Sequence, residues 1–177
     1  MTNHRSGFSK CYFFYLLICL ILMYPIAFSP KTSSSELNLV SGLSSLDKKY
    51  MEAQKSLVDE LARSMGQNFN GNVAHDIKIL QRLLDTRKIK NDMTQELQAM
   101  GFVLGDLLAN ELDMHWVIYR DNVGRSRALR YKSSNNFLFP VTMISRRREV
   151  NNLTSIAKIY EKAFNSIAPL RDPLPFQ

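Results

Sequence analysis

Residues 116–131 read WVIYRDNVGRSRALRY, and their pattern decides the fold. Residues 116–120 are β-branched and aromatic, the composition of a strand. Asp121-Asn122-Val123-Gly124 is turn chemistry, and residues 126–131 resume as a second strand. Residues 133–136 form another polar turn, and residues 137–141 read as a third strand. The three together predict a short antiparallel meander. Pro140 has no N–H to give a ladder, so the third strand is expected to end there or to lie at an edge. Trp116, Ile118 and Arg120 share one face of the first strand, and His115, Val117 and Tyr119 the other. Neither face is cleanly polar, so both are expected to be partly covered.

The period upstream is helical. Ser44 with Asp47 makes a capping-box pattern, and Leu46, Tyr50, Leu57, Leu61 and Met65 recur at helical spacing before the stop at Gly66. A second helix over 73–87 carries Val73, Ile77, Leu80 and Leu84 as one stripe. A third over 94–112 carries Leu97, Met100, Leu104, Leu108 and Leu112. Downstream of the strands, residues 153–167 place Ile156, Ile159, Tyr160, Ala163 and Ile167 inward on a final helix. Helices, then strands, then a helix predict an α+β domain over 47–168, preceded by a Ser-rich linker over 29–46 and followed by a Pro-rich tail over 169–177.

The chain has 177 residues, 45% hydrophobic and 22% charged, which suits one such domain with an appendage. The appendage is the run CYFFYLLICLILMYPIAF at residues 11–28, which carries no charge. As a helix it would measure about 27 Å, enough for a hydrocarbon core. It is read as a transmembrane signal anchor, with a cleaved signal peptide as the alternative. Arg5 and Lys10 outweigh Lys31, so residues 1–10 are expected in the cytoplasm and the domain on the periplasmic side of the inner membrane. Cleavage would instead release it into the periplasm. Both cysteines, Cys11 and Cys19, fall in this run, which excludes a disulfide scaffold and a Cys-based zinc site in the domain.

Two stretches carry a family likeness. One runs from Gly101-Phe-Val-Leu-Gly105-Asp106 through Leu112 to Trp116-Val117; the other from Asp121-x-x-Gly124-Arg125 through Arg130 to Phe139-Pro140-Val141-Thr142-Met143-Ile144-Ser145 and an arginine. In that order they make the chain resemble the bacterial domain of unknown function family 3806, over roughly residues 75–163. The resemblance implies a bacterial source and a small α+β domain, often on exported proteins. It implies no activity and supplies no catalytic residue.

Candidate functional residues follow from charge and from glycine. Residues 114–177 hold eleven Lys and Arg against four Asp and Glu, whereas residues 29–113 hold ten against twelve. Arg125, Arg127, Arg130, Arg146, Arg147 and Arg148 are therefore candidates for an anion- or partner-binding face, set against a plain solvated sheet edge. Gly101, Gly105 and Ala109 form a stripe for close packing, because an interior helical glycine costs about 1 kcal/mol that contact must offset. Trp116 reads as a core anchor whose indole N–H needs an acceptor. His115, Asp121, Ser126 and Ser145 include the residue types of a hydrolase but no nucleophile elbow. No phosphate loop, dinucleotide fingerprint or metal motif is present, so no cofactor is expected. Asn152-Leu153-Thr154 matches a glycosylation sequon, which matters only in a eukaryotic secretory pathway; its other reading is a cap before the last helix.

The function expected is a membrane-anchored, non-enzymatic interaction module. Its partners would be the membrane through residues 11–28 and a protein or an anionic envelope component; nucleic acid is disfavoured outside the cytoplasm. An immunity-type inhibitor of a toxin and an enzyme of unrecognised chemistry are the alternatives.

Overall fold

The computed structural model describes residues 39–171. Its chain order is β1 (Leu39–Ser41), α1 (Ser45–Arg63), α2 (Val73–Asp85), α3 (Thr94–Leu112), β2 (Met114–Arg120), β3 (Arg125–Tyr131), β4 (Phe137–Leu138), α4 (Pro140–Met143), α5 (Ser145–Glu149), α6 (Ile156–Ile167) and a closing 3₁₀ turn at Ala168–Leu170. The sheet is antiparallel with order β1-β2-β3-β4.

α3 is the axis of the packing. Its stripe of Leu97, Met100, Leu104, Leu108 and Leu112 is buried, and so are Phe102, Val103 and Leu107 on its other faces. Such all-round burial needs neighbours on every side. α1, α2, α4, α5, α6, β2 and β3 supply them. The helix ends at Asp113, which takes a left-handed conformation (φ 53°) and turns the chain directly into β2. In β2 and β3, Trp116 pairs with Leu129 and Met114 with Tyr131, which sets these four side chains on the α3 side of the sheet.

The expected architecture needs correction at four places. The membrane-crossing helix was placed at residues 11–28, which lie outside the described residues; among those described, no helix is long and apolar enough to cross a membrane. The meander has four strands, not three: Leu39–Ser41, inside the expected linker, pairs with β2 in the register Val40 to Tyr119. Three residues of backbone pairing carry too little side-chain pattern to be seen as a strand. The expected strand over 137–141 is a strand for two residues only. Pro140 then starts α4, because its fixed φ and missing N–H suit the first helical position as well as a strand edge. Finally, Asn152 does not cap the last helix. It accepts the Thr154 N–H at 3.0 Å in a local turn, and Ser155 caps α6.

α1 keeps Leu57, Leu61 and Met65 half-buried against the core, as their spacing implies, but its most buried line lies beside them. Its capping box forms, with Ser44 and Asp47 bonded in both directions. The buried line is Asp47, Met51, Gln54, Val58 and Ala62, while Leu46 is 77% exposed. Two polar residues on the buried line disguise it in the sequence.

Candidate functional site

The six candidate arginines do not form one face. Arg125 and Arg127 converge on Asp47, whose residue exposure is only 3%. Nη2 of Arg125 lies 2.7 Å from both carboxylate oxygens, and Nη2 of Arg127 donates to Oδ1 at 2.9 Å. Arg127 also lies over the Tyr50 ring, 4.3 Å from its centroid. The hydrogen bond from Arg125, then that from Ser44, holds the Asp47 carboxyl well below the usual carboxylate range against the opposing effect of burial. These two arginines therefore tie β3 to the start of α1 and are engaged within the domain. Arg130 donates to the carbonyls of Ser133 and Ser134, both at 2.7 Å, and braces the turn before β4.

The run Arg146-Arg147-Arg148 occupies α5, and each member has a different environment. Arg146 is exposed, and Arg147 is half-buried and donates to the Met143 carbonyl. Arg148 is only 7% exposed, and its Nε is buried without a hydrogen-bond partner. A buried donor of a charged group left without an acceptor is costly, by about 1–3 kcal/mol or more. Burial pulls the Arg148 guanidinium below its ordinary value, and the charge of Asp85 acts in the opposite sense.

Arg148 lines a cleft of about 620 Å³. One wall is the end of α2 and the loop after it, with Gln81, Asp85, Arg87, Lys90 and Asn91; the buried Leu84 and Ile89 form the floor, and Leu153 from the loop before α6 completes the lining. Three cations thus face one carboxylate. The loop is pinned from beneath: Ile89 is buried and its N–H donates to the Leu83 carbonyl at 3.0 Å, while Arg87 takes a left-handed conformation that lets the chain turn. Gln81 accepts the Ile156 N–H at the start of α6 at 2.9 Å and donates to Asp85 at 2.7 Å, so both walls are held in register. The sequence reading missed Gln81, Arg87 and Lys90. The available signal was the Arg87-Lys88-Ile89-Lys90 run between two helices, basic residues around one apolar anchor.

The glycine stripe lies elsewhere and faces protein. A Cβ on Gly101 would lie 2.6 Å from the Pro140 carbonyl oxygen and 2.7 Å from the Val141 Cα, and one on Gly105 would lie 2.4 Å from Trp116 Cζ2. Ala109 is half-buried against the core. Trp116 donates its indole N–H to Asp106 at 2.8 Å, and Lys55 donates to the same carboxylate at 2.8 Å. That pair borders a second cavity of about 390 Å³, where Asp76 is also satisfied, by the Gly71 N–H at 2.8 Å, the Asn70 N–H and His75. Asp121 is occupied in its turn, accepting from Val123 and Gly124, and His115 sits opposite Arg130 in the register, so no serine–histidine–aspartate arrangement forms from them. Among the described residues no group of three or more His, Cys, Asp or Glu is placed to hold a metal ion.

Fold and cleft together define a small α+β domain in which helices wrap a central helix set on an antiparallel meander. Residues 76–160 match the model of the family described as "Domain of unknown function (DUF3806)", the family that the motif order resembles. No curated protein matches the chain. A crystal structure from Bacteroides thetaiotaomicron VPI-5482, at 1.50 Å resolution, is similar with a TM-score of 0.66 and 18% sequence identity, over 73% of this chain and 48% of that one. This chain thus spans about half the length of that structure, and at such identity the likeness concerns the fold alone.

Proposed function

We propose that the domain is a binding module rather than an enzyme, and that it takes an anionic group of its ligand in the cleft at Arg148. One observation carries this: a guanidinium buried without a partner at its Nε, in a cleft that adds Arg87 and Lys90. A cation of that kind is stabilised when an anion in the cleft supplies its counter-charge. The wider basic half contributes less than its composition suggests, because Arg125, Arg127 and Arg130 are already engaged.

Sulfate titration at constant ionic strength tests the reading, followed by NMR at the Arg148 side-chain N–H. A saturable shift there and at the amides of residues 87–91 is expected, absent in Arg148→Met and retained in Arg146→Met. No shift, or the same amide shifts in Arg148→Met, would refute it.

The uncharged run at residues 11–28, behind Arg5 and Lys10, supports export of the domain to the periplasm. A tag at the C-terminus should then be digested by protease added to spheroplasts. A protected tag would return the domain to the cytoplasm.

A further inference from the structure

We infer that the ligand of the Arg148 cleft is a small amphiphilic organic anion, a single carboxylate-type head on an apolar body; this rests on the anion-binding reading above and narrows it. The head is specified by Arg148. The body is specified by what surrounds it. Leu84 and Ile89 form an apolar floor, and Leu153 lines the same cleft while 66% exposed. An uncovered leucine beside a buried cation is the pairing that an amphiphile satisfies at once. The volume, about 620 Å³, lies within the range of small-molecule pockets and far exceeds an inorganic oxyanion.

The same lining argues against a nucleic acid strand. No aromatic side chain lines the cleft, so bases have no stacking platform. Asp85 lies within it and repels a series of phosphates, while a single head beside Arg148 leaves Asp85 its bond from Gln81.

Octanoate, acetate and 1-octanol serve as probes, titrated calorimetrically into the full chain and into its variants in the same preparation. The difference between wild type and Arg148→Met removes any uptake by the apolar N-terminal run. Octanoate is expected to bind the cleft at least about tenfold more tightly than acetate, since each buried methylene adds about 0.8 kcal/mol. Arg148→Met should lose the saturable octanoate heat that wild type shows and keep only the heat that 1-octanol also gives. It should fold, because an apolar side chain replaces an unpaired buried charge, and thermal unfolding checks this. Leu153→Ser, at an exposed position, should weaken octanoate several-fold and leave acetate unchanged. Equal affinity for acetate and octanoate would overturn the amphiphile while the anion site stands. Octanol binding as well as octanoate, indifferent to Arg148→Met, would overturn both, as would no binding by any probe.

Discussion

At the scale of single residues, the domain places charge in opposite ways at two sites. Asp47 is buried and doubly paired, so its removal leaves Arg125 and Arg127 without an anion. Asp47→Asn should destabilise the domain by about 2 kcal/mol, less than a fully buried pair because both arginines reach water. Its folded pKa is depressed, so its contribution is complete above the unfolded value near 3.8 and is lost as the pH falls below it. Urea midpoints measured from pH 6 down to pH 2.5 should therefore draw closer for wild type and Asp47→Asn without meeting. Parallel curves would show that the contribution of Asp47 does not depend on its charge. Tyr160 is the opposite case. Its hydroxyl is buried with no partner, and burial, then the charge of Glu111, pushes it up from 10.0 to about 12. Between those values the unfolded chain loses its proton first, so stability falls as the pH rises. Tyr160→Phe should remove that alkaline loss and be neutral or mildly stabilising at pH 7, since it deletes an unsatisfied group; a marked destabilisation at pH 7 would expose a missing role for the hydroxyl. The Asp47 cap was legible in the sequence as Ser44 with Asp47, but its two arginines lie 78 and 80 positions away and no local pattern announces them.

Among the elements, α3 and α4 meet where Gly101 and Gly105 remove side chains. The two glycines should respond differently to alanine. At Gly101 the new Cβ meets backbone of Pro140 and Val141, which cannot swing aside; at Gly105 it meets the six-membered ring of Trp116. Both substitutions should destabilise by about 1–3 kcal/mol, after overpacking is set against the better helix propensity of alanine. Trp116→Phe removes the obstructing ring, so it should rescue Gly105→Ala and not Gly101→Ala in a double-mutant cycle. Equal coupling at both positions would mean that α3 shifts as a whole. This contact was half legible. Glycine pairs on a helix announce a close neighbour, but not which one, and the neighbour here starts at a proline that reads equally as a strand end. The inward face of α1 was masked for a related reason: Asp47 and Gln54 interrupt the apolar stripe that Leu46 and Tyr50 seemed to complete. β1 was hidden because three paired residues have no period to detect.

For the whole molecule, the order of helices, strands and final helix was readable because each long element has its own period. The cleft was not, since its walls come from α2, the loop after it, α5 and the loop between α5 and α6, and only folding brings residues 81–91 to residues 148–153. Motif order pointed to the family whose model matches residues 76–160; the composition of the basic half pointed to six arginines, of which folding leaves one in the cleft. The centre of the packing has a kinetic corollary. A helix enclosed by seven other elements has no local route to solvent, so its amide protons can exchange with deuterium only when the entire domain opens. The slowest-exchanging amides should thus cluster at residues 100–108, with an opening free energy equal to that of global unfolding by urea. Those of β1 and of the loop over 86–93 should exchange orders of magnitude sooner, and exchange in α3 as fast as in that loop would contradict its enclosure. If this gradient holds, the lining of the cleft is rigid on the floor and labile at the rim, and a ligand seated there would be read out as slowed exchange at residues 87–91 with α3 unchanged.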